Sequence, residues 1–186
     1  MSFITAPLDR AGARWFRIET GRPELPVAPS YAGWGVDRWL AVQPVWSALK
    51  RGFCLVDCGS ALTIDLVDDH GRHRGGWILP GLETARRGLL AVAPVLRRDP
   101  PAEPATPEPA NDTAMAIENG LLLQQVGAIR LALEQAARLD GLGPATELVL
   151  TGGAAAPLQC ALDSARLEPD LVLKGLAIAA QRMELQ

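Results

Sequence analysis

The sequence predicts a mixed α/β fold. Apolar runs broken by tight turns between Phe53 and Ile78 read as three consecutive strands, and apolar residues recur at helical spacing from Val36 and again after Asp112. A further strand at Glu147–Thr151 runs through Gly152-Gly153 into an alanine-rich helix. At 186 residues and 48% hydrophobic content the chain has the length of one ordinary domain and enough apolar material for a core.

Taken in order, residues 1–30 are mixed: Arg14–Ile18 fits a short strand, while Gly21–Pro29 holds three prolines and should be loop. From Val36 a helix presents Trp39, Leu40, Val42, Val45, Trp46 and Leu49 on an apolar stripe. Pro44 lacks an N–H and should kink or split it. Strands are expected at residues 53–57, 62–67 and 72–78, with Asp68-Asp69-His70-Gly71 as the turn between the last two. His70 and His73 flank that turn and read as solvated.

A helix at 82–92 follows Pro80-Gly81. Asp99–Ala110 holds five prolines and is expected to be an extended, mobile loop over 99–110. Asp112 can cap a helix reaching Arg138. Its Gly120 and Gly127 lie on one face, fitting either close packing of a neighbouring helix or simple tolerance. Leu171–Met183 forms the terminal helix. This order lacks the strict βαβ alternation of a Rossmann sheet and matches one lobe of the actin-like nucleotide-binding architecture.

The net charge of −3 is spread along the chain, so no concentrated basic face is available for nucleic acid. No apolar run approaches a membrane span and the N-terminus has no signal-peptide core, which reads as a cytoplasmic protein. Cys54, Cys58 and Cys160 form no CxxC pair, the first two fitting a buried strand as small hydrophobes. Two histidines make a zinc site improbable, and the absence of GxxxxGK[ST] excludes a Walker-type loop.

The stretch Leu55–Gly81 carries the chemistry. A strand ends in Asp57, Gly59-Ser60 form a small turn, and the next strand holds Thr63 and Asp65. Glycine and serine at such a turn let backbone N–H groups approach a phosphate, and an acid at the strand end can hold a cation beside it. Three more segments could converge there: the helix start Gly35-Val36-Asp37-Arg38, the helix start Asn111-Asp112-Thr113, and Thr151-Gly152-Gly153. Helix N-termini and glycine turns offer unpaired N–H groups to anions. Asp37-Arg38 alone reads more readily as a helix-start acid with an ion pair; its neighbours reverse that reading. Asp65 reads as lining the pocket or pairing with an arginine.

Together these segments resemble type III pantothenate kinases, the Bvg accessory factor family. The GxDR motif is matched by Gly35-Val36-Asp37-Arg38, and the DxGTAxTID hairpin by Asp57-Cys58-Gly59-Ser60-Ala61-Leu62-Thr63-Ile64-Asp65. GGxIxPG is matched by Gly75-Gly76-Trp77-Ile78-Leu79-Pro80-Gly81 and the NTxxAIxxG helix start by Asp112-Thr113 to Gly120. TGG appears at Thr151-Gly152-Gly153, and PDLVxxGL at Pro169–Leu176. The resemblance covers residues 31–183, in family order.

The resemblance implies an actin-like/ribonuclease H-like α/β fold, shared by acetate and sugar kinases, Hsp70 and actin. The chain would supply mostly the C-terminal half of a two-lobed kinase, with residues 31–186 as that domain and 1–30 as a remnant of the N-terminal lobe. It implies ATP-dependent phosphorylation of pantothenate to 4'-phosphopantothenate, the first step of coenzyme A biosynthesis, in a homodimer. Asp37 would be the catalytic base, with Tyr31, Gly35, Val36, Arg38 and Thr113 also binding substrate. Gly59, Ser60, Gly152 and Gly153 would bind ATP, Asp57 a monovalent cation (K+ or NH4+), and Mg2+ would accompany the nucleotide.

The chain also departs from the family pattern. No DxGN phosphate loop occurs in it, Ser60 stands where threonine is usual, and Asp112 where asparagine is usual. Phosphoryl transfer rests on positioning and charge stabilisation, so lacking half the phosphate cradle is expected to cost several orders of magnitude in rate. The alternative expectation is a non-catalytic regulatory or interaction protein of the Bvg accessory factor kind. A generic sugar or acetate kinase fragment would leave the GxDRW and PDLVxxGL segments unexplained.

Overall fold

A computed structural model describes residues 17–184. Its elements are α1 (Val36–Leu49), β1 (Phe53–Cys58), β2 (Ala61–Val67), β3 (His73–Pro80), α2 (Leu82–Val92), a 3-10 turn at Pro94–Leu96, α3 (Thr113–Ala136), β4 (Glu147–Thr151), α4 (Ala156–Ala161), β5 (Arg166–Leu167) and α5 (Leu171–Glu184). The strands form one sheet in the order β3-β2-β1-β4-β5. β1, β2 and β3 are an antiparallel meander, while β4 adds parallel to β1 and β5 parallel to β4. This is one lobe of the actin-like architecture.

The period-2 alternation of β1 and β2 sorts their side chains onto two faces. Cys54, Val56, Cys58, Leu62, Ile64 and Leu66 join one buried cluster with Leu122, Val126 and Ile129 of α3 and Leu158 of α4. Phe53, Leu55 and Val67 point the other way, into a second cluster built on Trp39, Val42, Val45 and Trp46 of α1 and Ala179 of α5. The sheet is thus covered by helices on both faces. Asp57, Thr63 and Asp65 share the α1 face by the same alternation, since Asp57 pairs with Thr63 and Asp65 with Leu55.

Helix α1 is buried nearly all round, Ala41 and Gln43 included, because the sheet, α5 and the segment before it enclose it. Pro44 was expected to kink or split the helix; it does not split it, and α1 runs over 14 residues with Pro44 inside. The proline leaves the Leu40 carbonyl without its helical N–H, and α5 answers by bringing Gly175 against it. A Cβ on Gly175 would lie 2.0 Å from the Leu40 oxygen.

The strands, α2, the Asp112 cap and α5 fall within a few residues of their expected places, and the Asp112 carboxylate accepts from the Met115 N–H at 3.0 Å. Other expectations differ. Of Arg14–Ile18, residues 14–16 lie outside the described part and Arg17–Ile18 have no regular structure. The proline-rich stretch has no helix or strand, but it is pinned. Asn119 accepts from the Thr106 N–H (2.9 Å) and donates to the Glu108 carbonyl (2.8 Å), and Ala105 packs on the core. Gly120 and Gly127 have nothing within 4 Å of where a Cβ would sit, so no helix among the described residues packs tightly there.

Residues before Tyr31 also join the domain core. Leu25, Val27 and Trp34 are buried with α1, Trp39 donates its indole N–H to the Val27 carbonyl (2.8 Å), and Gln43 bonds the same residue's N–H (3.1 Å). No helix among the described residues is long and apolar enough to cross a membrane.

Candidate functional site

The start of α1 packs against β2 and β3 through a network of charged and polar side chains. Arg38 donates from Nε to Asp65 Oδ2 (2.9 Å) and from Nη2 to Asp65 Oδ1 (2.7 Å), a bidentate pair in which both side chains are buried. Burial alone would lower the proton affinity of Arg38; the hydrogen bonds and charge of Asp65 outweigh it, and the guanidinium is held charged. The remaining Nη1 donates to the Tyr31 hydroxyl at 3.3 Å.

Asp65 also accepts from His73 Nε2 at 2.8 Å, and His73 Nδ1 lies 2.8 Å from Ser30 Oγ. Trp34 stacks on the imidazole with ring centroids 3.7 Å apart. His73 is therefore buried, against the expectation of a solvated turn residue; only His70 is exposed. The cause is a β-bulge. Asp65 pairs with Gly76 and Leu66 with Gly75, but Val67 pairs with His73 rather than Arg74. The extra residue turns His73 onto the Asp65 face and frees Arg74 to reach Asp68 Oδ2 (3.2 Å) and the Asp140 carbonyl (2.7 Å).

Asp37 lies in the first turn of α1, exposed, its Oδ1 accepting from the Arg38 N–H at 2.9 Å. Gly35 is the N-cap and Val36 the first helical residue, half-exposed. Asp57 is the penultimate residue of β1, flanked by Thr63 on β2 and Thr151 on β4. Its carboxyl is pushed above the ordinary carboxylate range, first by burial and then by the charges of Asp37 and Asp65. Asp37 and Asp57 are thus electrostatic neighbours.

The backbone around Asp57 is built for close approach. Gly59-Ser60 form the β1–β2 turn, and the Ser60 carbonyl accepts from the Gly81 N–H (2.9 Å) and the Thr84 hydroxyl (2.6 Å). This fixes the turn to the start of α2. On the other side the Ala154 N–H donates to the Cys58 carbonyl (2.9 Å). Gly152 has φ +91°, and a Cβ there would lie 2.6 Å from Asp57 Oδ1, so only glycine fits. Gly153 faces open space. A groove of ≈ 470 Å³ opens here, lined by Asp57, Thr151, Gly152, Gly153, Pro169 and Asp170. It lies beyond the carboxyl ends of the parallel pair β1 and β4, where ligands of open α/β sheets bind.

Thr113 is the first residue of α3 and exposed; among the described residues no hydrogen bond joins it to Asp37, Arg38 or Asp57. α3 is tied to α2 by the Arg86–Glu118 ion pair. A larger groove of ≈ 650 Å³ between β3 and α3 is lined by Trp77, Ile78 and Leu131 and holds none of these acids. Cys54 and Cys58 are buried on β1, each thiol pushed up to about 12 chiefly by burial, as inert core residues.

Among the described residues no group of three or more His, Cys, Asp or Glu could hold a metal ion. A cation here would rest on Asp57 and on a bound ligand's own oxygens, which suits a loosely held monovalent ion and a Mg2+ carried on phosphates.

The sequence reading missed Ser30, Trp34 and His73. The positions alternate normally on either side of the bulge, and no spacing announces a one-residue shift in register.

The chain matches the type III pantothenate kinase family over residues 9–135. It is 40% identical over 153 residues to a type III pantothenate kinase of Pseudomonas aeruginosa, covering 80% of this chain and 60% of that one. The enzyme of Azotobacter vinelandii is 40% identical over 150 residues, covering 78% and 59%. The chain thus spans about 60% of the length of these curated relatives. In fold it is similar to the crystal structure of a Baf family protein from Campylobacter jejuni, with TM-score 0.64 and 24% identity over 87% of this chain and 71% of that one. The chain belongs to the type III pantothenate kinase family.

Proposed function

We propose that the chain carries the acceptor half of an ATP-dependent pantothenate kinase. Asp37 takes the proton of the primary hydroxyl, the freed oxygen attacks the γ-phosphorus of ATP, and the bond to the β-phosphate oxygen breaks to release ADP and 4'-phosphopantothenate. The observation that carries this reading is the placement of Asp37 close enough to Asp57 for its charge to raise the Asp57 carboxyl, with the glycine turns Gly59-Ser60 and Gly152-Gly153 on either side of Asp57.

In this reading the acceptor lies against Tyr31, Gly35, Val36 and the Nη1 edge of Arg38, with Thr113 completing the pocket. Gly59, Ser60, Gly152 and Gly153 receive the nucleotide. The raised proton affinity of Asp57 marks a carboxylate whose charge lacks a partner, and K+ or NH4+ would supply one. Mg2+ would arrive on the phosphates. Residues 31–186 form the kinase-like domain, joined by the preceding segment through Leu25 and Val27, and the working form is a cytoplasmic homodimer.

The chain is to be incubated with pantothenate and MgATP in K+ and, separately, in Na+ buffer. Formation of 4'-phosphopantothenate in K+, and at least tenfold less in Na+, is expected; no product in either contradicts the reading. A second reading is a non-catalytic regulatory protein. It expects pantothenate binding by calorimetry without turnover.

A further inference from the structure

Ser30, His73 and Asp65 stand in a line of two 2.8 Å contacts, the arrangement of a nucleophile, a base and an orienting carboxylate. The charges argue against a nucleophile. Both oxygens of Asp65 already accept from Arg38, so its charge is matched by a guanidinium and has little left to stabilise an imidazolium. The same bonds fit a different task. Asp65 can accept but not donate, so Nε2 of His73 carries the proton toward it, leaving Nδ1 to accept from the Ser30 hydroxyl.

We propose that His73 is a positioning residue that ties the loop carrying Tyr31 to the carboxylate that aims Arg38. The loop is fastened at Ser30 by the imidazole Nδ1, at Trp34 by stacking on its face, and Tyr31 itself reaches back to Arg38 Nη1. The imidazole's other edge holds Asp65 Oδ1, the same oxygen that receives Arg38 Nη2. Asp65 consumes Nε and Nη2, so Nη1, which gives one N–H to Tyr31, is the nitrogen whose second N–H can face an acceptor substrate. Its direction follows from how Asp65 is held. The loop and the arginine therefore move as one unit, with His73 as the joint. The bulge after Leu66 exists in this account to bring His73, and not Arg74, to that joint. What Arg38 is aimed at rests on the phosphoryl-transfer reading above; that His73 holds it does not.

The test compares His73→Phe, which keeps a ring on Trp34 but removes both hydrogen bonds, with His73→Gln, whose amide can still donate to Asp65. Ser30→Ala, a change at an exposed residue, guards against a fold failure in the buried variants. Side-chain 15N NMR reads the imidazole tautomer and the hydrogen-exchange rate of Arg38 Nε–H, neither of which requires activity. In the wild type the ring signals should show the proton on Nε2. Arg38 Nε–H exchange should quicken about tenfold in His73→Phe, the equivalent of one hydrogen bond, and return towards the wild-type rate in His73→Gln. Ser30→Ala should shift the Nδ1 resonance and quicken exchange by a smaller factor.

Calorimetry with pantothenate should show about tenfold weaker binding in His73→Phe and recovery in His73→Gln, with ATP affinity unchanged. Unaltered Arg38 exchange in His73→Phe, or an unmoved ring signal in Ser30→Ala, overturns the proposal. Failure of the wild type to bind pantothenate overturns the kinase reading instead, and leaves the exchange measurements to decide the role of His73.

Discussion

The wall formed by α1, β2 and β3 differs from the rim at the ends of β1 and β4. In the wall, Asp65 has three hydrogen bonds from two partners, and Arg38 has every nitrogen engaged. At the rim, Asp57 is half-buried near two other acids and its proton affinity is raised. Both regions hold a carboxylate on the same face of the sheet, on the neighbouring strands β1 and β2. One carboxylate is satisfied by the fold, whereas the other lies among acids and is, in the proposed reading, the place for a cation. A built scaffold beside an unsatisfied group is the division expected where rigid positioning serves a charged ligand.

That contrast can be broken by mutation. The largest stability effect is expected from Asp65→Ala, which strands the buried Arg38 charge and should cost about 3–5 kcal/mol in chemical denaturation. A loss below about 1 kcal/mol would make the wall no more finished than the rim. Gly175→Ala comes next: its Cβ would meet backbone rather than a yielding side chain, so α1 and α5 must part, at a cost of about 2–3 kcal/mol. A melting temperature equal to the wild type's would refute the close approach at Leu40.

Asp68 sharpens the comparison through pH. Burial would raise its pKa, but the N–H groups of Arg72 and His70 and the guanidinium of Arg74 together outweigh burial and leave it lowered. Its stabilisation is therefore fully present above the ordinary carboxylate pKa of 3.8 and fades as pH falls through the lowered value. Asp68→Asn should lose about 1–3 kcal/mol at pH 7 and converge on the wild type in acid. A deficit independent of pH would contradict this.

Asp57 carries the opposite sign. With its folded pKa raised, its favourable contribution is complete below the ordinary 3.8 and is lost as pH rises through the raised value, so the ionised form strains the fold at neutral pH. Asp57→Asn is expected to be as stable as the wild type or slightly more so at pH 7, with the difference vanishing in acid. A clear destabilisation at pH 7 would show that Asp57 already has a partner. Ser60→Ala, an exposed change, should stay within about 0.5 kcal/mol.

Much of this contrast was legible in the sequence, and unevenly. The strands announced themselves through alternation, and Asp112 through its cap. At the rim, the strand carrying Asp57 and the Gly59-Ser60 turn lie where the sequence places them. The wall was not legible in this way. Asp65 was left between lining a pocket and pairing with an arginine, and its partner Arg38 lies 27 positions away, joined only by folding. His73 was read as solvated because a turn of Asp, Asp, His and Gly precedes it, and the bulge that buries it leaves no periodic trace. Pro44 misled for a related reason. The helix is not split at Pro44, and Gly175, 131 residues later in the chain, packs against the Leu40 carbonyl that the proline leaves without its helical N–H.

The central claim is that the wall presents Asp37 as a base to a phosphoryl acceptor. Its most direct test is the turnover of pantothenate by Asp37→Asn beside the wild type, in K+ with MgATP, with melting curves for both. Turnover should fall by roughly 10²–10⁴-fold while the melting temperature stays the same. Equal turnover in the two proteins would contradict the account.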